Sequence, residues 1–284
     1  MIETEKQQIK KDLTNKSLSG KRILVCGKGG SGKSSIVTLM AKVLETKKYK
    51  VLALDGDASN PEGLLRLMFG LREEQAPRAL IEFFGGTETV TCPVDDPSPL
   101  TRLNDSIPIF QKPIDIDEEI SSEYFIQKEN TILFQTGKIK EYGQGCDGPT
   151  EKVTRDFIVN GEQVNLIDAK AGVEHFGRRM EDNIDVILTI LDPTFESISI
   201  AKRVAGFCRE MGTENFWFIL NKIKSKDIEK IIINKLGELE NRIIGAVRCD
   251  SEIIKAGLRG SLGKCNALED VEMFVEKLEK ISVI

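Results

Sequence analysis

Short runs of successive apolar residues alternate along this chain with stretches whose apolar residues recur every three to four positions. The runs cover 23–26, 51–54, 131–134, 164–167, 186–191, 216–220 and 243–247. Their length and their content of β-branched and aromatic residues predict strands. Between them, 34–46 places Ile36, Leu39, Met40, Val43 and Leu44 on one face of a predicted helix, and 196–211 reads the same way. A strand that is apolar at successive positions must be covered on both faces. The pattern therefore predicts an α/β fold: a mostly parallel central sheet with helices on both faces.

The rhythm breaks over residues 85–130, where TCPVDDPSPL and KPIDIDEEISSEY concentrate proline, aspartate and serine, and a loop-rich insertion is expected. Residues 1–20 are charged and lack an apolar core; they are expected to be a poorly ordered tail, leaving 21–284 as one domain. The formal charge of −5 sets the whole-molecule field against nucleic acid and anionic membrane, so neither is expected as a partner. With no signal-peptide core and no run of about 18 apolar residues, a cytoplasmic location is expected. The six cysteines form no CxxC pair, which suits a reducing compartment better than a disulfide framework.

The chemistry begins at Gly27-Lys28-Gly29-Gly30-Ser31-Gly32-Lys33-Ser34, which fits the phosphate-loop pattern G-x-x-x-x-G-K-[ST] between a predicted strand and a predicted helix. The glycines let backbone N–H groups converge on phosphates, Lys33 brings charge to the β and γ phosphates, Ser34 can ligate Mg2+, and Ser35 is a second donor. Lys28 is a second lysine in the loop. Its place near the loop's start makes it hard for the side chain to fold back onto its own nucleotide, whereas a second copy packed face to face would carry it to the partner's phosphates; the alternative is an exposed lysine near a polyanion.

KGGSGKS resembles the deviant Walker A motif of the MinD/ParA-type P-loop ATPases. The resemblance implies a nucleotide-sandwich homodimer in the ATP state, with Lys28 acting in trans. Leu54-Asp55-Gly56-Asp57-Ala58-Ser59-Asn60 resembles that family's switch I, with Ala58 in place of the usual proline. On that analogy Asp57 orients or deprotonates the attacking water, and Asp55 supports Mg2+. The segment from Val164 through Asp168 to Gly172 resembles Walker B with switch II: Asp168 would face the magnesium shell, and the backbone near Gly172 would sense the γ-phosphate. Asn221-Lys222-Ile223-Lys224 resembles the guanine-reading N-K-x-D, but a lysine replaces the carboxylate. An ammonium cannot accept from guanine's N–H groups, while Asn221 can pair with adenine's N6 and N7 edge, so ATP is favoured. Ile244 to Asp250 resembles the family's adenine-covering loop, with Arg248 near the place of its usual proline.

Two stretches narrow the resemblance. Ala171-Gly172-Val173-Glu174-His175-Phe176-Gly177-Arg178 is similar to the AGIEH segment of the carbon monoxide dehydrogenase accessory ATPases, the CooC-type nickel-insertion proteins; His175 reads as a ligand, a phosphate sensor or a structural histidine. Cys146 stands where those ATPases carry a Cys-x-Cys metal motif at the dimer interface, with Gly148 in place of the second cysteine. Two copies of Cys146, with Asp147, could form a mixed site for Zn2+ or Ni2+; the alternative is a plain glycine turn. The resemblance spans 21 to about 262 and implies a Mg-ATP-dependent homodimer that assists maturation or metal loading of a client metalloenzyme. One alternative is an iron–sulfur electron donor like the nitrogenase iron protein, although no cysteine follows Asp168 before Cys208 to serve as the second ligand. Another is a MinD/ParA-type positioning ATPase at a surface. Against it, Val271, Phe274, Val275, Leu278 and Ile281 share one face of a glutamate-rich C-terminal helix, a pattern that fits core packing better than membrane adsorption.

Overall fold

A computed structural model describes residues 16–142 and 145–282. All seven predicted runs are strands: β1 (Arg22–Gly27), β2 (Val51–Asp55), β4 (Thr131–Gln135), β5 (Val164–Asp168), β6 (Val186–Leu191), β7 (Phe216–Ile223) and β8 (Ile243–Arg248). They form one parallel array. The eighth strand, β3 (Phe125–Lys128), lies inside the stretch expected to be loop and pairs antiparallel with β4 at the sheet edge, giving the order β3-β4-β2-β5-β1-β6-β7-β8. Its four residues are half apolar and half polar, as an edge strand's can be, and too few to show a period.

Among the described residues, six helices have eight or more residues: α1 (Lys33–Thr46), α2 (Gly148–Asp156), α3 (Phe195–Glu210), α4 (Lys226–Leu236), α5 (Ser251–Arg259) and α6 (Ala267–Ile281). Successive residues of β1 point to opposite faces, and each enters a separate core. Ile23 and Val25 pack with Ile36, Leu39 and Met40 of α1 and with Val271, Phe274, Val275 and Leu278 of α6. Leu24 and Cys26 pack with Ala201, Val204 and Cys208 of α3 on the other face. That division is why the strands read as unbroken apolar runs. The apolar face of α6 is therefore spent on the core, and among the described residues no helix is long and apolar enough to cross a membrane.

Within 85–130 the chain forms single helical turns, yet Leu100, Ile109, Ile114, Ile116, Ile120 and Tyr124 are buried and join the second core. The insertion is thus a cover for the sheet as well as a loop. The register matters most for the site. Val25 of β1 and Asp55 of β2 both pair with Asp168 of β5, so the C-terminal strand ends bring the glycine-rich loop and two carboxylates together.

Candidate functional site: a phosphate loop with two switch segments

Neighbouring strands mould the loop between β1 and α1. Gly27 has φ 137°, and a Cβ there would lie 2.6 Å from the Ile190 carbonyl oxygen; Gly32 has φ 99°, and its Cβ would meet Asn221 Nδ2 at 2.3 Å. Only glycine fits either position. Gly29 and Gly30 continue the turn at the exposed rim. Helix α1 begins at Lys33 with no side-chain cap and no acidic residue in its first turn, which leaves its N-terminal N–H groups for an anion. Lys33 is buried, its ammonium 3.4 Å from the Gly27 and Lys28 carbonyl oxygens. Ser31 Oγ is buried without a partner. A charged lysine on two long contacts and an unpartnered hydroxyl suit a polyanion at this loop.

Ser34 Oγ donates to Asp168 Oδ2 at 2.5 Å, and Asp168 Oδ1 is buried with no partner. That free acceptor beside the Ser34 hydroxyl fits a hard divalent cation such as Mg2+. Burial, and then the adjacent Asp55, push the Asp168 carboxyl up to about 7, while Ser34 and Lys33 oppose the shift. A carboxyl whose pKa is raised on folding favours the fold while protonated, so its contribution to the ligand-free protein is lost as pH rises from about 4 to about 7. A cation at Oδ1 reverses that penalty. Mg2+ with nucleotide should therefore raise the melting temperature more at pH 8 than at pH 6, and the difference should vanish in Asp168→Asn. Equal shifts at both pH values in the native protein would contradict this assignment.

Asp55 is fully buried and saturated: its carboxylate takes the Lys138 ammonium at 2.9 Å and the Leu64 and Asp57 N–H groups at 3.3 Å. It acts here as an anchor for the switch I turn. Asp57 is half-buried, and its Oδ1 accepts from the Ser59 N–H at 3.0 Å and the Ser59 hydroxyl at 2.6 Å. On the opposite side Gly172, with φ 100°, donates its N–H to the Gly27 carbonyl at 3.1 Å. That amide is therefore occupied by the loop in this structure.

Lys28 sits on Asp192 at 3.1 Å, in its own chain, with 18% and 10% of the two side chains exposed. Asp192 directly follows β6. A carboxylate at a strand's C-terminal end is the signal that singled out Asp168, and it applied to Asp192 equally. His175 is buried and pairs through Nδ1 with Glu181 at 2.6 Å. Burial pulls its pKa down, but Cys26 and Glu181 outweigh that and raise it to about 10, while its Nε2 is buried without a hydrogen-bond partner.

A cavity of about 520 Å³ opens beside the loop, lined by Ser35, Pro193, Asn221, Lys222, Arg248 and Ile253 among others. Its apolar walls and its place next to Gly32 and Ser35 suit a base and ribose. Asn221 is buried with its amide in use: Nδ2 donates to the Ser31 carbonyl at 2.8 Å and Oδ1 accepts from the Lys222 N–H at 2.9 Å. Its first task is to hold the loop. Lys222 Nζ reaches the Gly30 carbonyl at 2.5 Å, and Arg248 is tied to Asp270.

Cys146 is exposed, just ahead of α2. The neighbouring Asp147 is buried and bound by Lys170 and by Arg178 at 3.1 Å, and Arg178 also reaches Glu151 at 2.5 Å. Asp147 is therefore occupied and does not offer the free oxygen ligand expected for a mixed metal site. A Cβ at Gly148 would lie 2.5 Å from Cys92 Sγ, so Cys92 fills the space a second cysteine of the motif would need. Among the described residues no group of three or more His, Cys, Asp or Glu is placed to hold a metal ion. At the other end of α2, Arg22 of β1 donates to the Phe157 and Arg155 carbonyls at 2.7 and 3.1 Å. The helix thus links the phosphate-loop strand to Lys170 and Arg178 of switch II.

The profile of the CobQ/CobB/MinD/ParA nucleotide binding domain matches residues 23–262. An uncharacterized ATP-binding protein of Methanocaldococcus jannaschii is 35% identical over 271 residues, 91% of this chain and 100% of the relative. The carbon monoxide dehydrogenase accessory protein CooC of Rhodospirillum rubrum is 25% identical over 245 residues, covering 84% of this chain and 88% of its own. Among solved structures, the septum site-determining protein MinD of Pyrococcus horikoshii, complexed with Mg-ADP, shares the fold with a TM-score of 0.61 at 16% identity, over 92% of this chain and 97% of that one. With the family model matching residues 23–262, the chain belongs to the CobQ/CobB/MinD/ParA nucleotide-binding family of P-loop ATPases.

Proposed function

We propose that this protein is a Mg-ATP-dependent ATPase that closes into a homodimer with ATP, reopens on hydrolysis, and uses that cycle to deliver a metal to a client metalloenzyme. The observation that supports the hydrolytic part is the pairing of Ser34 with Asp168 at the start of the helix that begins with the loop lysine Lys33. Bound there, Mg2+ would neutralise charge on the β and γ phosphates. Lys33 would hold those phosphates, Asp57 would orient the water, and the Gly172 amide would report the γ-phosphate. Lys28 would leave Asp192 and cross to the partner's nucleotide. Asn221 lines the cavity, and the second N–H of its Nδ2 and the second lone pair of its Oδ1, beyond those engaged by Ser31 and Lys222, would be what favours adenine.

The delivery part rests on the Cys146 turn. Ahead of the turn, Thr136 and Ile139 donate backbone N–H groups to the Asp55 and Ala58 carbonyls of switch I, both at 3.1 Å. Behind it, Asp147 is bound by Lys170 and Arg178 of switch II. A change in either switch would pull on Cys146. Across a twofold axis two such thiols would be the soft donors available to Ni2+ or Zn2+. The name of the Rhodospirillum relative, an accessory protein of carbon monoxide dehydrogenase, agrees with a client of that class.

Metal analysis and absorption spectroscopy of anaerobically purified protein test this. With Mg2+ and a slowly hydrolysed ATP analogue, dialysis against Ni2+ should leave about one ion per two chains. Cys146→Ser should lose that ion and keep ATP hydrolysis within about twofold. Equal nickel in both proteins would remove the metal from the account, and bound iron with a visible absorption band would favour the iron–sulfur alternative.

A further inference from the structure

Lys138 lies three residues beyond β4, and nothing in the phosphate-loop or switch motifs includes it. Its side chain is 4% exposed, and its ammonium touches two parts of switch I at once, the Asp55 carboxylate at 2.9 Å and the Asp57 carbonyl oxygen at 2.6 Å. We propose that Lys138 is the positioning residue of switch I, holding the Asp55 side chain and the Asp57 backbone together so that the Asp57 carboxylate is aimed for hydrolysis. The inference rests on the ATPase reading above.

Three features support it. First, Asp55 and Asp168 are paired in register on adjacent strands and both are buried. Two such carboxylates repel each other, and the Lys138 ammonium offsets one of them, leaving Asp168 Oδ1 as the free acceptor. Second, the segment containing Lys138 runs alongside switch I, with Thr136 bonded to Asp55 and Ile139 to Ala58 through the backbone. The ammonium adds the contact to Asp57, which lies between those two. Third, the turn needs an external brace. Asp57 N–H makes only a 3.3 Å contact with Asp55 Oδ1, and the Asp57 carboxylate is otherwise held by Ser59 alone among the described contacts. Lys138 touches the Asp57 main chain and leaves its carboxylate free to exchange Ser59 for water. A small shift of that backbone misplaces the carboxylate, and misplacement by about 1 Å costs on the order of 100-fold in rate.

Steady-state hydrolysis by Lys138→Met, Asp57→Asn and the double variant tests the assignment. Lys138→Met should lower kcat by about 30- to 100-fold and leave the KM for ATP within about threefold. Because Lys138 acts through Asp57, the double variant should be no slower than Asp57→Asn alone, within about twofold. Losses that multiply, or a normal kcat in Lys138→Met, would overturn the assignment while leaving the ATPase reading intact. Wild-type protein that does not turn over ATP with Mg2+ would overturn both. If the methionine variant does not fold, Lys138→Gln keeps a donor of similar reach. Its smaller loss should be masked by Asp57→Asn in the same way, and an unmasked loss would overturn the proposal.

Discussion

Lys33→Ala should abolish nucleotide binding. The Lys33 ammonium is buried against the loop and held there only by two 3.4 Å contacts to carbonyl oxygens, so a phosphate can take it over at little cost. Removing it takes away the buried side-chain cation of the loop. The amides and the open α1 N-terminus remain, but a charge-assisted contact to a polyphosphate is lost in a dry setting. Affinity should fall by at least about 100- to 1000-fold, or about 3 to 4 kcal/mol. Calorimetric titration with Mg-ATP reads this directly. Asp57→Ala makes the contrast: its carboxylate faces the Ser59 turn, so ATP affinity should stay within a few-fold while hydrolysis slows by about 100-fold or more. Equal loss of affinity in the two variants would remove Asp57 from the chemical step.

Lys28→Ala should leave binding nearly intact and remove turnover. In the single chain Lys28 is parked on Asp192, outside the phosphate cradle, so nothing in the cradle depends on it. Its affinity for ATP should stay within about threefold of wild type. ATP-induced dimerisation, however, would require Lys28 to meet the partner's phosphates. Sedimentation with a slowly hydrolysed analogue should show wild type shifting to dimer and the variant staying monomeric, with hydrolysis down by about 100-fold or more. A variant that dimerises and turns over normally would leave Lys28 with no role beyond its ion pair with Asp192.

The sheet and the phosphate loop were readable because each leaves a local trace. A strand buried on both faces is apolar at every position, and the loop's glycines are forced by close neighbours such as the Ile190 carbonyl and Asn221. Ser34 and Asp168 were each expected near magnesium from separate motifs, and the register of β1 with β5 brings the two side chains into contact. Lys138, Asp192 and the Asp147–Arg178 pair were not foreseen: each acts through a partner at least 31 residues away, or on another segment altogether, which no local pattern encodes. The strand β3 was missed because four residues at a sheet edge carry too little periodicity. Asp147 looked like a free oxygen donor from sequence, since nothing nearby predicted the two cations that occupy it. The expected tail at 1–20 lies mostly outside the described residues, which begin at Lys16, and Leu18 is fully buried.

Mixing Lys28→Ala chains with Asp57→Ala chains tests the trans role of Lys28 most directly. Each homodimer lacks a residue at both of its sites and should be nearly inactive. A heterodimer keeps one complete site, built from the Lys28→Ala chain's own Asp57 and the partner's intact Lys28. Hydrolysis in the mixture should therefore rise well above the sum of the two separate variants, approaching about a quarter of the wild-type rate if chains pair at random and the sites act independently. No gain, with heterodimers shown to form by sedimentation of differently labelled chains, would contradict a lysine acting across the dimer.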